Sequence, residues 1–305
     1  MRIEKQASVG RSGGRVWVDY PRARDAFEAY LRALELRETE VVLMPNYIGY
    51  SPREGSGVFD PIVNSGVNCE FYELDKSLTI CLDSIKRCIE NFDVKLIVVI
   101  HYFGYVDPGY ERVVELAKAN GIKILEDQAH SLFTDIHGGV SGRLSDASIY
   151  SLHKMLPVSS GGALSLQKAG DGYAPSLVSK LCFEHDIASL VKARIKNHGY
   201  LTRRLAGHDS VLKALRPVLE PGVVPQTFPV LIISCDRNAL YQKMNDSGFG
   251  VVSLYHTMIS EIQTNPDFQT NYVAERILNL PLHQGADEES LGLMCETLLS
   301  LLYAS

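Results

Sequence analysis

Apolar residues along this chain alternate between a helical period and short solid runs. From Arg24 to Leu36, the residues Ala26, Phe27, Tyr30, Leu31 and Leu34 share one helical face, which predicts an amphipathic helix. The run Val41 to Met44, closed by Pro45, predicts a buried strand, Asn68 to Glu73 another strand, and Asp83 to Glu90 a helix. Lys95 to His101 is aliphatic and rich in β-branched residues, the mark of a strand covered on both faces. A helix from Glu111 to Asn120, stopped by Gly121, leads into the apolar run from Ile122 to Leu125. Strand, helix and strand at this spacing make a βαβ unit in a parallel sheet. Ala147 to Ser151 and Gly162 to Leu166 add two strands.

Past about Gly170 the texture changes. Ser176 to Leu205 reads as one long helical region rich in Lys, Arg and His, Gln226 to Ser234 as a strand, and Arg237 to Asp246 as a helix. Gly250 to Leu254 reads as a further strand and Glu288 to Leu302 as a final helix. The expected fold class is α/β: a large domain with a mostly parallel sheet over residues 1–170 and a smaller α+β domain over 171–305. No repeat or Pro/Gly/Ser-rich linker marks the boundary.

Composition narrows the function classes. With 305 residues, 46% of them hydrophobic and 22% charged, the chain has the make-up of a globular protein with a large core. A net charge of −6 and the lack of a basic run interleaved with aromatics argue against a nucleic-acid partner. The longest apolar stretch, around Leu96 to Ile100, falls far short of the ~20 residues of a membrane span. Met1 to Lys5 lacks the apolar centre of a signal peptide. Six cysteines without a CxxC pair read as reduced thiols in a cytoplasmic protein. Nine histidines without HxH or HExxH spacing argue against a metal site.

The candidate chemistry centres on Lys154. Asp127 closes the Ile122–Leu125 run, and Ser151 lies three residues before the lysine, in Tyr150-Ser151-Leu152-His153-Lys154. This is the donor set of pyridoxal phosphate chemistry. The amine condenses with the cofactor aldehyde, the carboxylate keeps the pyridine nitrogen protonated, and the hydroxyl holds the phosphate. Taken alone, Asp127 reads equally well as a helix N-cap, and Lys154 as a surface lysine. Against the second reading, the strand entering at Ser148 and the turn through Pro157 and Gly161-Gly162 place the lysine where it is partly desolvated. At a strand's carboxyl end, Asp127 faces a ligand cleft. His130 is a candidate hydrogen-bond or stacking partner for the cofactor, or a satisfied loop histidine. His101 ends its strand towards the same cleft, whereas His153 points the other way if its segment is extended.

In this order, the residues resemble the DegT/DnrJ/EryC1/StrS sugar aminotransferases. The matching stretches are Val41–Pro45, Ile100-His101-Tyr102-Phe103-Gly104, Ile124–His130, Gly142–Ala147, Tyr150–Lys154, Ser160–Leu164 and Leu280-Pro281-Leu282-His283. The resemblance implies the three-layer α/β/α large domain of the pyridoxal-phosphate-dependent transferases of fold type I, acting as a homodimer. It implies that Lys154 is the Schiff-base lysine, Asp127 the partner of the pyridine nitrogen, His130 a neighbour of the ring oxygen, and Ser151 a phosphate ligand. Arg24 becomes the candidate ion-pair partner of the phosphate and Tyr50 a candidate ring contact. His101, Tyr47 and His256 become candidate substrate contacts. The implied reaction carries an amino group from a donor such as glutamate to a nucleotide-linked keto-sugar.

The chain also departs from the family pattern. It has Ser-Leu-His-Lys where many relatives have Ser-Phe-His-x-x-Lys, and Pro21-Arg22-Ala23-Arg24-Asp25-Ala26 where a Gly-Ser/Thr pair usually opens the first helix. Gly49 stands where relatives carry a ring-stacking aromatic four residues past the strand-ending proline, with Tyr47 and Tyr50 as substitutes. Much of the usual N-terminal arm and of a middle, substrate-binding segment is missing. Two alternatives remain: a non-catalytic relative with a binding or regulatory role, suggested by the missing cradle, and a sugar dehydratase, against which Lys154 argues because such relatives carry histidine there.

Overall fold

Seven strands form the large sheet in the order β1-β7-β6-β5-β4-β2-β3. They are β1 (Arg15–Tyr20), β2 (Glu40–Pro45), β3 (Asn68–Tyr72), β4 (Asp93–Ile100), β5 (Lys123–Asp127), β6 (Ala147–Ser151) and β7 (Gly162–Gln167). The pairs β2–β3, β2–β4, β4–β5 and β5–β6 run parallel, and β7 is antiparallel to both of its neighbours. These observations come from a computed structural model that describes residues 15–167 and 176–304, the side chains of Ser179 and Phe183 excepted. Residues 1–14, and with them the N-terminal stretch read for a leader, lie outside the described set.

The sequence pattern explains the layering. All of β2, and Leu96 to Ile100 of β4, are buried, as strands covered on both faces must be. Helix α1 (Ala23–Ala33) packs on β6 and β7 through Ala26, Phe27, Tyr30 and Leu31. A short α2 (Asp60–Ser65) sits against α1, and α3 (Leu82–Asn91) covers β3 and β4. Helix α4 (Tyr110–Ala119) covers β5, burying Tyr110, Val113, Val114 and Ala117. Gly121 then takes a left-handed φ of 67°, which lets the N–H groups of Gly121 and Ile122 satisfy the carbonyls of Lys118 and Ala117.

The second half comprises α5 (Leu177–Glu184), α6 (Ile187–Leu205), β8 (Leu212–Ala214), β9 (Thr227–Ile232), α7 (Arg237–Asp246), α8 (Ser260–Gln263), α9 (Thr270–Arg276), β10 (Ile277–Pro281) and α10 (Glu288–Tyr303). Its sheet is antiparallel, in the order β10-β9-β8. The α/β class, with a mostly parallel large sheet and a smaller α+β half, is therefore as expected. The expected boundary at 170/171 falls among residues 168–175, outside the described set.

Two expectations need correction here. Ser176–Leu205 is two helices, because Asp186 accepts a hydrogen bond from the Ser189 N–H (3.1 Å) and so caps a new start. Gly250–Leu254 forms only an isolated bridge, Val252 to Asn279. The Leu254 N–H bonds the Asn279 side chain (3.0 Å) and the Ser253 hydroxyl bonds the Ile277 carbonyl (2.8 Å). One reciprocal backbone pair, Val252 N–H to the Asn279 carbonyl (3.1 Å) and Asn279 N–H to the Val252 carbonyl (2.7 Å), and these side chains hold the segment without a longer ladder, and β10 takes the place beside β9. Met258, Ile259, Ile262 and Val273 join the core of the large sheet, so the two halves share apolar packing. Among the described residues, no helix is long and apolar enough to cross a membrane.

Candidate active site

Lys154 is presented by a single turn of 3-10 helix, Leu152–Lys154, directly after β6. Leu152, Met155 and Leu156 are buried around it, and the Leu152 N–H is bonded to the Gly161 carbonyl (2.9 Å). With these neighbours fixed inward, the lysine stands at the carboxyl ends of β5 and β6. More than a third of its surface stays accessible, yet its amine lies 3.2 Å from His130 Nε2. Crowding by protein atoms removes hydration and lowers its pKa, the Asp127 charge opposes this, and the nearby Arg24 reinforces it.

His130 is buried, and its pKa is held well below the ordinary histidine value by burial first and by Lys154 second. Its Nδ1 accepts from the Phe103 backbone N–H at 3.3 Å. A neutral imidazole has one proton, so that proton sits on Nε2 and points at Lys154. Loss of hydration shifts the lysine towards its uncharged form, the form that can accept from that N–H.

Asp127 ends β5 with its carboxylate buried, accepting from the Ala129 N–H at 2.8 Å. Burial raises its pKa, and the Ala129 N–H and Lys154 hold the rise back. Ser151 is buried at the end of β6, its hydroxyl 3.4 Å from His153 Nδ1. The start of α1 approaches the same turn. Gly162 touches the Arg22 backbone so closely that an added Cβ would lie 2.2 Å from the Arg22 carbonyl carbon. No side chain caps α1, and with the Asp25 N–H bonded to the Arg22 carbonyl (3.1 Å) the amides left for an anion are those of Ala23 and Arg24. Arg24 is near Lys154, but its Nη1 is bonded to the Glu54 carbonyl (2.8 Å) and the Asp60 carboxylate (3.1 Å).

Three expected site residues lie elsewhere. His101 is fully buried, with Nε2 on Glu126 (2.7 Å). Glu126 precedes Asp127 in an extended strand and so faces the other side of the sheet. Tyr47 is fully buried and donates to the Leu254 carbonyl (3.1 Å). His256 is exposed, with Nδ1 on the Ser253 carbonyl (2.6 Å), and lines a separate cleft with Asp236, Arg237 and Glu275. Tyr50 is 45% exposed beside the segment that carries His256, its N–H bonded to the Thr257 carbonyl.

Sequence reasoning missed two residues at the site. The Phe103 ring stacks on His130 (6.2 Å between centroids, 15° between planes), and Tyr255 flanks it (6.0 Å, 30°). Both have left-handed backbones, with φ of 59° and 63°, outliers for bulky side chains and typical of strain held at functional sites. Phe103 lay inside a motif stretch already singled out, whereas no pattern in the sequence marks Tyr255.

Residues 22–169 match the model of the DegT/DnrJ/EryC1/StrS aminotransferase family. The chain is 21% identical to UDP-4-amino-4,6-dideoxy-N-acetyl-beta-L-altrosamine transaminase of Campylobacter jejuni, covering 88% of this chain and 83% of the relative. It superposes on Helicobacter pylori PseC, an aminotransferase involved in pseudoaminic acid biosynthesis, with a TM-score of 0.77 at 17% identity, covering 95% of this chain and 87% of PseC. Spr1654 of Streptococcus pneumoniae, solved in its PLP form, matches with a TM-score of 0.74 at 18% identity, over 94% of this chain and 87% of that one.

Proposed function

We propose that the chain is a member of the DegT/DnrJ/EryC1/StrS aminotransferase family and a pyridoxal-phosphate-dependent transaminase acting on a nucleotide-linked keto-sugar with an amino-acid donor such as glutamate. The observation that carries this reading is the Lys154 amine held 3.2 Å from His130 Nε2, its pKa lowered by loss of hydration, within the field of the buried Asp127 carboxylate.

The residues present fit the cofactor. Asp127 offers its carboxylate to the ring nitrogen, His130 an N–H to the ring hydroxyl, and Lys154 its amine to the aldehyde. Ser151 and the uncapped first turn of α1 suit the phosphate, which offsets the missing Gly-Ser/Thr pair. Arg24, committed to Glu54 and Asp60, contributes long-range charge rather than a direct bond. When bound, pyridoxal phosphate supplies the electron sink that stabilises a carbanion at the donor carbon.

The chain's own residues do the rest. Lys154, as a free base, takes the α-proton at Nζ and returns it. His130, fixed at Nδ1 by the Phe103 N–H, holds its one N–H towards the place of the ring hydroxyl. Asp127 keeps negative charge opposite the amine. The name of the Campylobacter relative, which states a UDP-linked amino sugar, supports a nucleotide-sugar substrate.

Two further readings accompany this one. The absence of disulfides among the described residues suits a reducing, cytoplasmic compartment. A homodimer is expected by analogy with enzymes of this fold, and light scattering would give twice the 33.8 kDa chain mass.

The test is to add pyridoxal phosphate to the purified protein, fix it with borohydride, and map the modified peptide by mass spectrometry. Modification at Lys154, with nitrogen-15 passing from glutamate to a UDP-keto-sugar, is expected. A protein that takes up no cofactor would overturn the proposal.

A further inference from the structure

Gly49 has no space for a side chain, because a Cβ there would lie 2.1 Å from Cδ1 of Tyr255 and 3.0 Å from Cε1. The Tyr255 ring therefore begins where a side chain at position 49 would begin. Several bonds hold it there. Tyr47 donates its hydroxyl to the Leu254 carbonyl (3.1 Å), Tyr50 its N–H to the Thr257 carbonyl (2.9 Å), and Ile259 its N–H to the Ile48 carbonyl (3.1 Å). Residues 254–259 are thus docked antiparallel on 48–50, with Gly49 and Met258 as the bridge pair. Each bond comes from the backbone or from a tyrosine outside the cleft, so Tyr255 is placed by its neighbours.

The ring's surroundings belong to the site. It lies 6.0 Å from His130 and 6.3 Å from Phe103, and the edges of Tyr47 and Tyr102 support it at 5.4 and 5.8 Å. Burial drives its phenol pKa up, and the Asp127 charge, which reaches the ring, adds to the rise. A residue that only joined the two halves would need neither the left-handed backbone (φ 63°) nor this nearness to the carboxylate, and would not stay part-accessible.

We propose that Tyr255, carried by the C-terminal half, is the aromatic wall on which the pyridine ring of the cofactor packs, in the place that Gly49 leaves open. The inference rests on the proposed function, since it needs pyridoxal phosphate at Lys154. It makes cofactor affinity depend on the docking of 254–259 against 48–50.

The test is a pyridoxal phosphate titration read by absorbance, with melting temperatures taken with and without cofactor. Tyr255→Phe keeps the π face and binds within about twofold of wild type. Tyr255→Ala loses roughly tenfold in affinity, and its cofactor-induced rise in melting temperature shrinks. Gly49 has no left-handed φ, so its backbone accepts a side chain, and Tyr255→Ala combined with Gly49→Tyr regains affinity. Should Tyr255→Ala not fold, Tyr255→Leu serves in its place: weaker binding at an unchanged cofactor-free melting temperature supports the wall, and unchanged binding overturns it. Wild-type affinity in Tyr255→Ala, or no recovery in the double variant, overturns this inference alone. A wild-type protein that binds no cofactor overturns the functional proposal as well.

Discussion

Lys154 Nζ and His130 Nε2 lie 3.2 Å apart across the carboxyl ends of β5 and β6, an arrangement in which a neutral imidazole turns its one N–H towards the amine. The direction of that bond follows from the Phe103 N–H, which occupies Nδ1 and leaves the one proton of a neutral ring on the other side. The pair couples the charge state of the lysine to the tautomer of the histidine.

Lys154→Ala is expected to abolish amino transfer while leaving the fold intact, because the residue is accessible and its apolar neighbours make the turn. Circular dichroism together with a glutamate-dependent assay checks this; residual turnover above about a thousandth of wild type would exclude Lys154 as the base.

His130 gives a pH-dependent stability. Its folded pKa is depressed, so its contribution is fully present above the ordinary histidine value of 6.5 and is lost as pH falls below it towards the folded pKa. Over that window the cofactor-free protein loses up to about 1.4 kcal/mol per pH unit from this residue. Urea unfolding between pH 7 and 5 should show a shallower slope for His130→Gln; equal slopes would mean that the ring titrates normally.

Asp127→Asn retains an acceptor for the Ala129 N–H, now bonded to the Asp127 carboxylate at 2.8 Å, so stability should change little. The negative charge is gone, and turnover should fall by about a hundredfold or more. A kcat within a few-fold of wild type would show that the carboxylate has no part in the chemistry.

His101 and Glu126 form a buried pair at 2.7 Å, and Glu126 also accepts from the Gln128 amide (2.9 Å) and the Gly142 N–H (2.8 Å). His101→Ala leaves that carboxylate without its ring partner and should cost about 3–5 kcal/mol of stability. The KM for the sugar should not move in protein that remains folded. A raised KM at unchanged stability would return His101 to the cleft.

Gly162→Ala places a methyl group 2.2 Å from the Arg22 carbonyl carbon and 2.4 Å from the Ala23 nitrogen. The start of α1 must retreat, at a cost of about 1–3 kcal/mol. Cofactor affinity should fall with it, since the displaced amides are those proposed to meet the phosphate. Unchanged affinity in Gly162→Ala would remove α1 from the phosphate site.

The parts of the site legible in sequence were those written locally. Asp127 and Lys154 each follow a strongly apolar run, and strand ends in a parallel sheet converge on one edge whatever the loops between them do. His101 misled for the same reason. It ends its strand towards the cleft, but a buried carboxylate one residue before Asp127, on the other face, captures its ring. Tyr47 was misplaced because it sits two residues past Pro45, where the chain turns inward to meet Leu254. The break at Asp186 and the loss of a strand at Gly250–Leu254 depended on single side-chain hydrogen bonds, which leave hydrophobic period unchanged.

Sequence alone determined the α/β frame, the strands that bracket the lysine, and the acid and amine at their ends, because burial of apolar runs is a local property repeated at a fixed period. Tertiary structure decided which groups those two meet. The neutral tautomer of His130, the loss of hydration at Lys154, and the arrival of Tyr255 over Gly49 from some 200 residues away depend on distances between segments that no periodicity records. Charge state and ring packing are set by those distances, since desolvation and short-range contact act through space and not along the chain.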